Sequence, residues 1–395
     1  MPSLHLNPPF RAEHVGSLLR TPELLQKREE FKKSQCSVEE LRAVQDKAIV
    51  SVVQMQRDIG LSTITDGEYR RNLFYEGMFE RLDGMTFVPS RPLSACNAFV
   101  PYIELFKERG LTEIPSIYCT SKIKRTGGVY TQDFLYMRNL VKPEEVKRIK
   151  VTICSPIWLH LRHGPEHTYD HSVYANDDEY FADLVAAYRE EIHELYDMGC
   201  RNIQIDDPAF CFFCSESMRN GMRKQGLDPD EVLGKYITVH NSVSAGRPND
   251  LIIGVHMCRG NYQGEHYCEG GYEPIAAKVF QNLDVDCFYL EYDTERAGDI
   301  KPLRYLPLNK VAVLGLVTTK TGTLETLNDI KSRVLEAVEA LCNGYPQRSQ
   351  AEALNQLCIS PQCGFASVAE GNPITEEEQR RKLALIVEAA NAIWG

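Results

Sequence analysis

Eight short apolar runs, most of them separated by helix-like segments, are the feature that most limits what this chain can become. They are AEHVGS (12–17), STITDGE (62–68), VTICSP (151–156), NIQIDDP (202–208), LIIGVHMC (251–258), CFYLEYD (287–293), VAVLGLV (311–317) and LCISPQC (357–363). Helical patterns lie between most of them, at Val38–Asp58, Asp178–Met198, Glu325–Leu341 and Glu376–Ile393. Thr375 and Glu378 stand at capping-box spacing at the start of the last. Nearly continuous apolar strands alternating with helices predict an α/β fold with a parallel sheet covered on its outer face. Eight units are the number that closes a (β/α)8 TIM barrel. An open doubly wound sheet is the other arrangement, but no GxGxxG follows a first strand.

Residues 85–145 break the alternation. GMTFVPSRPLSAC and IPSIYCTSKIKRTGGVYTQDF mix Gly, Pro and alternating aromatic residues. The expectation is an inserted arm or hairpin between barrel strands 2 and 3. No linker, repeat or low-complexity tract divides the rest, so one barrel over residues 1–395 is expected.

Charge and cysteine usage then exclude whole classes of partner. A net charge of −11 argues against a nucleic-acid binder, which carries a basic face. No stretch approaches the ~18 apolar residues of a membrane span. The opening MPSLHLNPPFRAEHVGS lacks a basic start followed by an apolar run, so no signal peptide is read. The 13 cysteines are odd in number and scattered, and several, such as Cys154 and Cys287, fall inside apolar runs. That is the usage of reduced thiols, and a cytoplasmic location is expected.

Barrel enzymes place their chemistry at the C-terminal ends of strands. The polar residues ending the apolar runs are Ser17, Asp66, Glu68, Asp206, Asp207, His256, Cys258, Glu291, Asp293 and Cys363. His256 and Cys258 are two apart on one strand and point to the same face. With Glu291 and Cys363 they would give a His-Cys-Glu-Cys set suited to zinc. On spacing alone, a buried histidine with inert cysteines is as good a reading. Cys211 and Cys214 in CFFC read as a packed turn, since no second pair lies at zinc spacing. His160, His163, His167 and His171 read as a polar loop at the mouth, broken by Gly164-Pro165. Asp206 and Asp207 could be a metal pair, an amine site or a helix N-cap. Glu68 precedes Arg70 and Arg71, so a solvated ion pair is its plain reading.

Taken together, HVGSLLRTPEL, ITDGEYRR, IQIDDPA, VHMCRGN, FYLEYDTERAGD and SPQCGF resemble the catalytic C-terminal barrel of cobalamin-independent methionine synthase, and more closely its short single-barrel relatives. The matches run from about residue 11 to 367 in the family's order. The resemblance implies Zn2+ held by His256, Cys258, Glu291 and Cys363, with Glu291, the hardest ligand, the one most easily loosened. It implies that Ser17 and the backbone near Gly16 hold an amino acid's carboxylate, and that Glu68 and Asp206 hold its α-amino group and serve catalysis. The activity implied is methyl transfer, by default from 5-methyltetrahydrofolate or its polyglutamate, to homocysteine.

The donor side departs from the family. Thr318, Thr319 and Lys320 stand where the long members carry a histidine, and Trp158 is displaced from the folate-stacking position. Zinc-thiolate chemistry on another thiol or alkyl group, a carbon–sulfur bond enzyme, and a non-catalytic barrel binding zinc or a thiol amino acid therefore stand as alternatives.

Overall fold

The computed structural model describes residues 7–395. The stretch read for a leader begins in residues 1–6, which lie outside the described residues. Six parallel strands form one sheet in chain order: β3 (Val151–Cys154), β4 (Asn202–Asp206), β5 (Ile252–Met257), β6 (Cys287–Glu291), β7 (Val311–Val317) and β8 (Leu357–Pro361). Every residue in them is buried except Ile252, which is half-buried, as continuous apolar runs require. Helices Val38–Ile59, Asp177–Asp197, Leu327–Cys342 and Glu376–Trp394 match the four predicted segments within two residues at each end. The helix read from Glu325 starts later because Thr326 caps it, accepting from Asp329 N at 3.1 Å. The last helix carries the predicted box between Thr375 and Glu378.

The first two predicted strands differ from expectation. Segments 12–17 and 62–68 form single bridges in place of ladders, Ala12 to Ile359 of β8 and Ile64 to Ile149 just before β3. Together they close the barrel: Thr63 Oγ1 donates to Glu13 Oε1 at 2.6 Å, and Leu18 N donates to Gly67 O at 3.1 Å. The reason for the missing ladder is that side chains take its place. Gln56 pairs with both N and O of Thr65, Thr65 Oγ1 bonds Gly16 O at 2.8 Å, and Gln204 Nε2 bonds Val15 O at 2.7 Å. With backbone groups satisfied by side chains of the neighbouring helix and strand, the chain is free to turn its ends into the mouth.

The arm is a hairpin of β1 (Asp83–Pro92) and β2 (Glu113–Lys124), antiparallel, with a helix at Pro101–Glu108 between them and another at Thr131–Leu140 after them. The expected polar histidine loop is instead two short helices, Trp158–His163 and Pro165–Thr168. Gly164 separates them, as anticipated, but His160 and His163 are buried. His163 bridges arm and barrel, bonding Ser116 Oγ at 2.6 Å and Ala95 O at 2.8 Å. The CFFC segment is the packed turn expected, with Cys211 and Cys214 both buried. All 13 cysteines are free thiols, and no described helix is long and apolar enough to cross a membrane.

Two buried histidines make stability pH-dependent. Burial, reinforced by Lys150, holds His14 at a pKa of about 3. Burial, reinforced by Arg162, does the same for His163, also to about 3. In the unfolded chain both titrate near ~6.5. Below that value the unfolded chain binds more protons than the folded one, so stability falls as pH drops from about 6.5 towards 3. Urea midpoints at pH 7 and pH 5 measure the loss. His163→Gln keeps the donor and acceptor capacity and shrinks it; an unchanged pH difference in that variant would refute the assignment.

Candidate active site

The strand ends converge as the parallel register requires. Cys154 pairs with Asp206, and Asp206 with His256, so the ends of β3, β4 and β5 lie level. Cys258 follows β5, and Cys363 follows β8. The ligand atoms of His256, Cys258 and Cys363 all lie within 4.8 Å of one another, and all three residues are buried. Both ring nitrogens of His256 are buried without a hydrogen-bond partner among the described residues. An unpartnered imidazole beside two thiols costs free energy unless something binds it. The Cys258 thiol bonds Cys363 and holds it well below the ordinary thiol range, against burial and with help from His256, while Cys258 is pushed up. One imidazole and two thiols whose ligand atoms lie this close together are a donor set that fits zinc.

Glu291 stands apart from these three. Its Oε2 accepts from Arg259 N at 2.9 Å, and its Oε1 accepts from Arg296 Nε at 2.8 Å. Arg296 also pairs with Asp293 at 2.7 Å, so one guanidinium clamps both carboxylates at the end of β6.

Beside the thiols lies a cleft lined among others by Ser17, Glu68, Asp206, Asn261 and Tyr267. Gly16 is held at φ +138°, where a Cβ would meet Thr152 Cγ2 at 2.7 Å and approach Glu68 Oε1 at 3.6 Å. Likewise a Cβ on Gly364 would collide with Ser17 Oγ. Only glycine at both places lets Ser17 and Glu68 sit where they do.

Glu68 is not the solvated partner of Arg70 and Arg71 that its neighbours suggest. It is 1% exposed, at a left-handed φ of 60° that non-glycine residues rarely adopt. Its Oε1 accepts from Thr152 Oγ1 at 2.8 Å, Arg71 stays 3.8 Å away, and its Oε2 has no partner among the described residues. Burial raises its pKa, opposed by Arg71 and Arg20. Asp206 Oδ1 accepts from Gln204 Nε2 at 2.6 Å, and burial first, then the charge of Glu68, push its carboxyl up to about 7. Two buried carboxylates share one cleft, a ready seat for a cation. Asp207 is the N-cap of the two, accepting from Ala209 N at 2.9 Å and bonding Ser155 and His240 away from the cleft.

Sequence reasoning passed over Thr152 and Tyr267, and it named Lys320 only as standing where the family's histidine would be. Thr152 had a signal, since as the second residue of β3 it alternates with Val151 and Ile153 and is the polar one. Asn261 Nδ2 donates to Gly364 O at 3.0 Å, and Lys320 Nζ donates to Gly260 O at 3.2 Å. These contacts hold the loop after β5 over the cleft, and they join positions too distant in the chain for spacing to reveal.

The family described as cobalamin-independent synthase, catalytic domain, matches residues 10–98 and 121–392. The chain is 37% identical over 390 residues to the uncharacterized protein YxjG of Bacillus subtilis (strain 168), covering 98% of this chain and 95% of that one. A 5-methyltetrahydropteroyltriglutamate–homocysteine methyltransferase of Bacillus mycoides (strain KBAB4) is 22% identical over 355 residues, which are 89% of this chain but 39% of that protein. Among solved structures, a Listeria monocytogenes protein assigned as a vitamin-B12-independent methionine synthase superposes with a TM-score of 0.72 at 31% identity, covering 98% of both chains. A B12-independent methionine synthase from Shewanella sp. W3-18-1, in complex with selenomethionine, shares the fold at a TM-score of 0.68 and 19% identity. With its family match running from the first barrel segment to the last helix, the chain belongs to the cobalamin-independent synthase catalytic-domain family.

Proposed function

We propose that the protein is a zinc-dependent thiol methyltransferase that converts homocysteine to methionine, with a methyltetrahydrofolate as donor. The observation that carries this reading is the juxtaposition of two parts. A His-Cys-Cys cluster with an unpartnered imidazole adjoins a cleft holding two buried carboxylates. One part suits a thiol and the other an ammonium, and both line the same cleft.

His256, Cys258 and Cys363 would hold the zinc, with Glu291 as a fourth ligand once its carboxylate leaves Arg296. The chemistry zinc supplies when bound is Lewis-acid stabilisation of the substrate's thiolate at neutral pH. Glu68 and Asp206 accept hydrogen bonds from the substrate ammonium, and Ser17 Oγ donates to its carboxylate. Those contacts fix the sulfur in line with the methyl carbon. The new sulfur–carbon bond forms as the bond between the methyl carbon and the donor nitrogen breaks, and that nitrogen keeps the bonding pair and takes up a proton to replace the one the substrate thiol gives up. Tyr267 and the loop after β5 keep water from the nucleophile.

The test is a donor panel. Zinc-loaded protein is given homocysteine with 5-methyltetrahydrofolate mono- or triglutamate, and methionine is measured by mass. Zinc-dependent methionine formation is expected with a folate donor. Stoichiometric zinc with no methionine from either donor would refute this reading.

A further inference from the structure

Asp207, next in the chain to the cleft's Asp206, gathers a second cluster of buried polar groups. Its Oδ2 accepts from Ser155 Oγ at 2.7 Å and from His240 Nε2 at 2.6 Å, and its Oδ1 accepts from Ala209 N at 2.9 Å. Ser155 follows β3, Asp207 follows β4, and His240 lies on the helix Pro229–Ser244. All three residues are buried, and none of them lines the cleft.

A carboxylate only accepts, so His240 donates from Nε2. Its Nδ1 is then a bare acceptor, buried without a partner among the described residues. An orphaned buried acceptor costs free energy. The ring also packs against Phe210, with centres 4.9 Å apart. Leucine would fill that space and leave no orphan, so what histidine adds to packing is its bond to Asp207.

The backbone on either side shows what that bond secures. Asp206 O accepts from Ser155 N at 3.2 Å, and Asp207 N donates to His256 O at 2.8 Å. Those two groups belong to one peptide unit, which is therefore tied to β3 on one side and β5 on the other. The Asp206 carboxylate projects from it into the cleft, and His256 carries the unpartnered imidazole beside the thiols. One peptide plane thus sets a carboxylate of the amine seat and a ligand of the metal cluster together. Three donors on the Asp207 side chain keep that plane from turning.

We propose that His240 and Ser155 are positioning residues, which fix this peptide through Asp207 so that Asp206 faces the substrate ammonium and His256 faces the two thiols. The proposal rests on the methyltransferase reading for the identity of the substrate; the hold on His256 stands without it.

Two substitutions separate the hydrogen bond from the packing. His240→Gln keeps a donor at the place of Nε2, and His240→Leu keeps the bulk without it. In zinc-loaded protein, His240→Leu is expected to release zinc to a chromogenic chelator ~10-fold faster and to bind homocysteine ~10-fold more weakly by calorimetry, the lower end of what losing a supporting partner costs a metal site. His240→Gln should restore most of both. Val243→Ala lies on the same helix, is buried, and touches none of the cluster's polar atoms. It should lower the melting temperature while leaving zinc release and homocysteine binding at the parent level. Parent behaviour in His240→Leu, a glutamine variant as impaired as the leucine one, or equal losses in Val243→Ala overturns the proposal. Should His240→Leu fail to fold, Ser155→Ala removes the other side-chain donor and should shift both readouts the same way; no shift there also overturns it. Methionine formation by the parent is scored separately. Faster zinc release in His240→Leu with no methionine from the parent sinks the methyltransferase reading alone. Methionine from the parent with both readouts unmoved in His240→Leu sinks the positioning assignment alone.

Discussion

Cys363→Ala yields a folded barrel that holds no stoichiometric zinc and forms methionine at least ~100-fold more slowly than the parent, since losing a residue that merely supports a metal ligand already costs 10- to 100-fold. Cys363 sits just past β8, buried at 3% exposure, and its Sγ is one of the three ligand atoms clustered at the mouth. Truncation to alanine removes one sulfur from a packed site, a loss of about 1 kcal/mol that a barrel of this size absorbs. What remains is His256 and Cys258, with a Glu291 carboxylate that Arg296 already engages, and that set does not retain zinc through dialysis. Cys211→Ala is the matched control. That thiol is equally buried, lies outside the cluster, and should leave metal and turnover intact. Elemental analysis after dialysis against a weak chelator measures the first effect, and circular dichroism guards against unfolding. One zinc per chain surviving in Cys363→Ala would show the ligand set to be wrong.

How legible such a site is from sequence depends on what carries each piece. The strands β3 to β8 were readable because a strand buried on both faces must be apolar throughout, and the polar residue that ends it marks the mouth. His256, Cys258 and Cys363 were reachable by that logic alone. The first two segments misled, because Gln56, Thr65 and Gln204 replace their ladder bonds from elsewhere in the chain, and alternation carries no trace of such a bond. Glu291 was placed correctly at a strand end, but which partner its carboxylate takes was not readable, since Arg296 competes with the cluster for it. Glu68 shows the opposite failure. Its neighbours Arg70 and Arg71 suggested a surface pair, while the left-handed turn after Gly67 drives it inward against Thr152.

Glu68→Gln raises the melting temperature of the free protein and weakens homocysteine by ~10- to 100-fold, the range for losing a hydrogen bond to a charged group. The two effects share one cause. In the free protein Glu68 and Asp206 are buried in the same cleft, the charge of Glu68 raising the cost of charging Asp206, and Glu68 Oε2 has no donor among the described residues. Glutamine retains an acceptor for Thr152 and removes that repulsion, so the empty barrel gains stability. The substrate ammonium reverses the balance: it supplies the charge and donors that the two carboxylates lack, and it turns a ground-state penalty into binding energy. The glutamine variant has less to offer it. Asp206→Asn should act in the same direction, and the double variant should be less than additive because the mutual repulsion is removed only once. Thermal melts without ligand and steady-state kinetics with homocysteine varied separate the two effects. Because the zinc ligands are untouched, metal content should stay at the parent level, which sets this loss apart from that of Cys363→Ala. A variant that melts lower and binds homocysteine as the parent does would mean that Glu68 braces Thr152 and the turn at Gly67, and that the ammonium is held elsewhere.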